Sequence, residues 1–133
     1  AYTDYNYQML QFEELCAHLA QTITGSTKVM YQGKEIDFTA PWRRLKVYDG
    51  VREYAGIDPA TSTAEQLFAK AKELGSDLKK PASHGEIVME VFELAAEKNL
   101  WHPTFIVDFP VEISPLTKKH RSVPGLVERF EPY

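Results

Sequence analysis

Pro103-Thr104-Phe105-Ile106-Val107-Asp108-Phe109-Pro110 is the stretch on which the fold turns. β-Branched and aromatic side chains fill it and prolines bracket it, so 104–109 reads as a buried strand. Regular alternation puts Phe105, Val107 and Phe109 on one face and Ile106 on the other, so both faces carry apolar surface. Upstream, Ile87, Val88, Val91, Phe92 and Ala95 recur at helical spacing and predict a helix over 84–98, which Pro103 bars from continuing. Downstream, 114–124 reads as a polar loop, and Leu126, Val127, Phe130 and Tyr133 predict a last strand.

The remaining elements follow the same logic. Met9, Phe12, Leu15, Cys16, Leu19, Ala20 and Ile23 form an apolar face interleaved with Gln11, Glu13, Glu14, His18 and Gln21. That pattern predicts an amphipathic helix over 7–24, capped by Asp4 or Asn6 and closed by Gly25. Residues 27–31 and 34–38 flank Gln32-Gly33 and predict a β-hairpin that Pro41 ends. A short helix is expected over 47–55, with Gly56 closing it. Thr63-x-x-Gln66 is a capping box opening a helix that runs to about Gly75. The middle, roughly 58–100, is thus helical, between sheet-forming ends.

The chain has 133 residues, enough to bury about two thirds of its unfolded surface as one domain. Its net charge of -4 argues against an autonomous nucleic-acid binder, which normally carries a basic face. One cysteine, Cys16, cannot form an internal disulfide, so a reducing compartment is compatible. No apolar run approaches the ~18 residues that span a bilayer, and the N-terminus lacks the pattern of a signal peptide.

Chemistry-bearing motifs are sparse. His18, His84, His102 and His120 are scattered and, with one cysteine, form no zinc-type set; each reads as a surface or packing residue. Walker and Rossmann phosphate loops are absent from the sequence. Cys16 lies on the apolar helix face and reads as a small buried hydrophobe. Lys118-Lys119-His120-Arg121 is a basic cluster with two readings: contact with tRNA or ATP phosphates, or a solvated loop. Glu112, between Val111 and Ile113, sits in a strand-like context and is either outward-facing or the orienting partner of a buried cation.

Several stretches resemble the class II lysyl-tRNA synthetases. They are Ala1-Tyr2-Thr3-Asp4-Tyr5, Pro41-Trp42-Arg43-Arg44-Leu45, Pro103-Thr104-Phe105, Pro110-Val111-Glu112-Ile113-Ser114-Pro115-Leu116 and Arg129-Phe130-Glu131, in the family's order and spacing. The resemblance implies an α+β, mostly helical fragment of the class II antiparallel-sheet catalytic domain. It would span 1–133, between the second and third signature motifs, with about 58–100 as a helical insertion lobe. It implies a parent that activates lysine with ATP and Mg2+ and transfers it to tRNA(Lys), as a cytoplasmic homodimer with no membrane span. The Arg-Phe-Glu of that family supplies a magnesium-holding carboxylate, which maps onto Glu131. Mg2+ prefers hard oxygen ligands shared between one or two carboxylates and substrate phosphates. The lysine-recognising and ATP-gripping residues of the family map outside this sequence, so no catalytic or ATP-contacting residue is assigned and the isolated chain is expected to be inactive. If cut at both ends, the sheet would leave strand 104–109 short of neighbours. An independent helical interaction module, or a class II ligase for another amino acid or for a protein lysine, are the competing expectations.

Overall fold

The strand predicted from the proline-bracketed stretch is the centre of the sheet. In the computed structural model, which describes residues 3–133, β4 (Thr104–Pro110) is buried along its whole length. It lies between β3 (Arg43–Lys46) and β5 (Leu126–Pro132). β5 pairs with it antiparallel, with Ile106 opposite Glu131 and Val107 opposite Phe130. β3 pairs with it parallel, with Leu45 opposite Ile106, so the three-stranded sheet is mixed. The expectation of a neighbour-starved 104–109 strand is corrected: both its edges are paired, and the open edges belong to β3 and β5. Sequence patterning missed β3 because Arg43-Arg44-Leu45-Lys46 carries one apolar residue, and its strand character comes from pairing with β4.

Four helices accompany the sheet: α1 (Tyr5–Thr24), α2 (Val47–Ala55), α3 (Ala64–Glu73) and α4 (His84–Ala96). Their ends follow local chemistry. The Asp4 carboxylate accepts from the Asn6 and Tyr7 amides, and Gly25 closes α1 at φ 78°, the left-handed conformation glycine adopts without strain. Both bonds of the Thr63/Gln66 capping box form, and Ser83/Glu86 forms a second one at α4. A hairpin of β1 (Lys28–Tyr31) and β2 (Lys34–Asp37) turns through Gln32 and Gly33, both at positive φ, as a tight two-residue turn requires. The α+β class stands, with helix outweighing strand.

α2, α3 and α4 form the crossover from β3 to β4, since parallel neighbours cannot be joined by a hairpin. They pack on one face of the sheet and bury Val51, Leu67, Val88, Val91 and Phe92 against Ile106, Phe109 and Val127. On the other face Met9 of α1, Trp42, Phe105 and Val107 form a smaller core, joined by Cys16, which is partly buried as expected. Trp42 and Phe105 stack with ring centroids 5.1 Å apart.

Two sequence expectations fail here, for identifiable reasons. Phe109 does not share a face with Phe105 and Val107 but joins Ile106 in the larger core. The β4–β5 register shifts between Val107 and Phe109, and Asp108 takes φ 60°, which breaks the alternation. The predicted apolar face of α1 is only partly turned inward. Met9 is buried, but Leu15, Leu19 and Ile23 are exposed, Ile23 to 77%, while Glu13 is 1% exposed. Glu13 is tolerated there because it has charged and backbone partners, which burial of an acid demands.

Candidate functional site

β5 carries the Arg129-Phe130-Glu131 motif, and the period of a strand sorts its side chains. Phe130 turns toward the Trp42 core and meets the Phe105 ring edge-on at 5.6 Å. Arg129 and Glu131 share the opposite face, toward α4. There the Arg129 Nη2 donates to Glu131 Oε1, its Nη1 donates to the Ser114 hydroxyl, and its guanidinium lies 4.7 Å from the centre of the Phe109 ring. Ser114 is buried and fixed by a single-turn 3-10 helix, Val111–Ile113, whose first carbonyl accepts from the Ser114 amide at 3.1 Å. Glu131 is half-buried, and its charge reaches α4. The Glu93 carboxyl is pushed up first by burial and then by Glu90, Glu97 and Glu131. Tyr133 is pushed up by burial and by the same acidic neighbourhood, Glu131 foremost.

Among the described residues no three His, Cys, Asp or Glu side chains are grouped to hold a metal. Glu131 is therefore a single hard-oxygen ligand at a half-open strand position, which suits a cation whose other ligands are phosphates and waters.

The basic cluster of the 114–125 loop is not a free cationic patch. Glu128, with its side chain almost wholly buried, takes both Lys118 at 3.1 Å and Arg121 through Nε and Nη2. The Arg121 amide donates to the same carboxylate, and Arg121 Nη2 reaches Asp4 at 3.1 Å. The Arg121 hydrogen bonds, reinforced by Lys118 and opposed by burial, hold the Glu128 carboxyl at about 2, and the Arg121 guanidinium is raised in turn. His120 Nδ1 accepts from the Ser122 and Val123 amides, at 3.1 Å and 3.0 Å, while its Nε2 faces Asp108 at 3.6 Å. Lys119 is exposed, on the rim of a cavity of ≈ 400 Å³ lined also by His120 and Arg121.

Behind this loop Asp108 is buried and accepts from the Tyr5 hydroxyl at 2.9 Å, with Lys46 Nζ at 3.9 Å. Burial and the Asp108 carboxylate push the Tyr5 hydroxyl up to about 12. Asp4 and Tyr5, the described end of the Ala1–Tyr5 stretch, are thereby clasped to β4, β5 and the loop; Ala1 and Tyr2 lie outside the described residues. Sequence reasoning missed this clasp, because Asp108 and Glu128 look like the exposed positions of alternating strands.

The other sequence candidates are separate. Glu112 lies in the 3-10 turn rather than in a strand and is exposed. Its carboxylate rests over Gly85 in the first turn of α4, where a Cβ would come within 2.7 Å of Oε2. The outward-facing reading is the one the structure takes, with the added attraction of a helix N-terminus for an acid. His18 and His102 are exposed, and His102 Nδ1 accepts from the Asp37 amide at 3.4 Å. Burial raises the Cys16 thiol, which keeps it protonated and weakly nucleophilic. No described helix is long and apolar enough to cross a membrane.

A small α+β unit with this motif on a core-facing strand matches a family model, tRNA synthetases class II (D, K and N), over residues 1–133. The chain belongs to that family. It is 48% identical over 132 residues to a lysine–tRNA ligase of Methanoculleus marisnigri, covering 98% of this chain and 26% of the relative. It is 47% identical over 135 residues to that of Clostridium perfringens, covering 98% of this chain and 27% of the relative. It is 42% identical over 134 residues to that of Thermoanaerobacter pseudethanolicus, covering 100% and 27%. The chain therefore spans about a quarter of the length of the curated relatives it matches.

Proposed function

We propose that the chain is a segment of a lysine–tRNA ligase, an enzyme that activates lysine with ATP as lysyl-adenylate and transfers it to tRNA(Lys). The observation that carries this reading is 42% to 48% identity along nearly the whole chain to proteins of that name. On this reading 1–133 is part of the class II catalytic domain, with about 58–100 its helical insertion, and the whole enzyme is a cytoplasmic homodimer. Glu131 is the residue of this segment that touches the ATP-bound Mg2+. Its Oε1 is held by Arg129, which leaves Oε2 to face the cation. When bound, Mg2+ neutralises charge that develops as the lysine carboxylate attacks the α-phosphate. The Asp4–Arg121–Glu128 and Tyr5–Asp108 contacts fix the segment after the second signature motif against the strand that bears Glu131. That holds both in register, and catalysis by positioning depends on such register.

The test is lysine-dependent pyrophosphate exchange by the intact ligase and its Glu131→Ala variant. The variant should activate lysine more slowly and respond less steeply to Mg2+. Unaltered kinetics would remove Glu131 from the site. A panel of amino acids in the same assay separates lysine from other substrates of a family that spans D, K and N. Exchange with another amino acid and not with lysine would overturn the substrate assignment.

A further inference from the structure

We propose that Arg129 is a positioning residue that sets the Glu131 carboxylate for metal, acting through a relay anchored on Ser114 and Phe109; this rests on the reading of Glu131 as a magnesium ligand. Arg129 is held at three points. Its Nη1 meets the Ser114 hydroxyl, its plane lies over the Phe109 ring at 4.7 Å, and its Nη2 donates to Glu131 Oε1. Ser114 and Phe109 are themselves buried, and Ser114 is set by the Val111–Ile113 turn. The guanidinium is thus fixed before any ligand arrives. A rigid planar fork can satisfy a hydroxyl and a carboxylate at once, whereas an ammonium on a flexible stem cannot reproduce both bonds and the stacking.

The consequence concerns which oxygen is presented. With Oε1 committed to Arg129, Glu131 has one rotational state and offers Oε2 as a one-oxygen ligand. Glu93 and Glu97 of α4 add negative charge nearby, and Arg129 also offsets that repulsion at Glu131. Hydrogen-bond partners that orient a ligating group typically alter metal affinity 10- to 100-fold when removed. A guanidinium beside a carboxylate could act in the opposite sense, as a cation that competes with the metal. The two roles predict opposite changes in affinity, so the sign of one measurement separates them.

The experiment uses the intact ligase with ATP and follows Mn2+ binding by electron paramagnetic resonance, with Mg2+-dependent pyrophosphate exchange alongside. Arg129→Ala should raise the Mn2+ concentration for half-saturation about tenfold or more. Arg129→Lys, which keeps the charge, should not restore it. Ser114→Ala should shift it in the same direction by less, and that small substitution guards against a variant that fails to fold. Unchanged or tighter Mn2+ binding in Arg129→Ala, or full recovery in Arg129→Lys, overturns the proposal. Glu131→Gln is the control on the underlying reading. If it weakens Mn2+ binding while the Arg129 variants do not, the relay alone is wrong. If it has no effect, the magnesium role of Glu131 and the relay fall together.

Discussion

Glu13 makes the sharpest energetic prediction, because an acid that is 1% exposed depends on its partners. Its Oε2 accepts from the Trp42 amide at 2.9 Å and from Arg44 Nη1 at 2.6 Å, and its Oε1 accepts from Arg44 Nη2 at 3.1 Å. Burial pushes the Glu13 carboxyl up, but the Arg44 hydrogen bonds, the Trp42 amide and the Arg44 charge outweigh it and hold the group below its ordinary range. Arg44 is 29% exposed, so its guanidinium can find water if the acid is lost, whereas Glu13 cannot if the arginine is lost. The two substitutions are therefore unequal. Arg44→Met keeps the apolar stem beside Phe105 and strands a buried carboxylate with one donor, at a cost of about 3 kcal/mol or more. Glu13→Gln keeps an acceptor for the Trp42 amide and frees Arg44 toward solvent, at a cost of about 1–2 kcal/mol. The double substitution Glu13→Leu/Arg44→Met should cost less than the sum, because no charge is left buried.

Urea unfolding followed by tryptophan fluorescence is the assay, since Trp42 sits on the pair. With a urea dependence of about 2 kcal/mol per molar, Arg44→Met should lower the midpoint by about 1.5 M and Glu13→Gln by well under 1 M. The pH response has a definite sign. In the parent chain the depressed Glu13 pKa contributes stability above the ordinary carboxylate range, and this is lost as pH falls. In Arg44→Met the unopposed burial raises that pKa, so acid relieves the variant. The gap between the two must shrink below about pH 5. Arg44→Met costing no more than Glu13→Gln at neutral pH, or a gap that widens in acid, would refute the reasoning.

Three further outcomes are expected. The loop clasp should be acid-labile: Glu128 is held at about 2, so its contribution is whole above the ordinary carboxylate range and lost as pH falls toward 2. Glu128→Gln should flatten that limb of a stability-versus-pH curve, and an unchanged curve would exclude it. Gly50→Ala should destabilise by about 1–3 kcal/mol despite alanine's better helix propensity, because its Cβ would meet Phe92 Cδ2 at 2.8 Å; a neutral or higher melting temperature would show that Phe92 can move aside. The isolated 133-residue chain should show no lysine-dependent pyrophosphate exchange and should associate through the exposed Leu15, Leu19 and Ile23 face of α1. Exchange above a blank, or a strictly monomeric chain across a light-scattering concentration series, would contradict those two expectations respectively.

Much of this molecule is written in local chemistry. Period, caps and turn residues locate α1 to α4, the Gln32-Gly33 hairpin and the strand at 104–109, because each depends on neighbours within a few residues. The motif Arg129-Phe130-Glu131 and the family were legible for the same reason: they are strings. Contacts between distant segments were not. β3 is a strand because β4 offers a parallel edge, not because Arg43-Arg44-Leu45-Lys46 asks to be one. The faces of β4 were misassigned because a register shift at Asp108 depends on pairing with β5. Glu13, Asp108 and Glu128 looked like solvated acids, and the fold buries all three by bringing Arg44, Tyr5, and Lys118 with Arg121 to them. Tertiary structure likewise decided that the basic loop is mostly a neutralised clasp and that Ser114 and Phe109 meet Arg129. Alternation reports which side chains can be buried together, but the cost of burying a charge is settled by a partner that only the folded chain can supply.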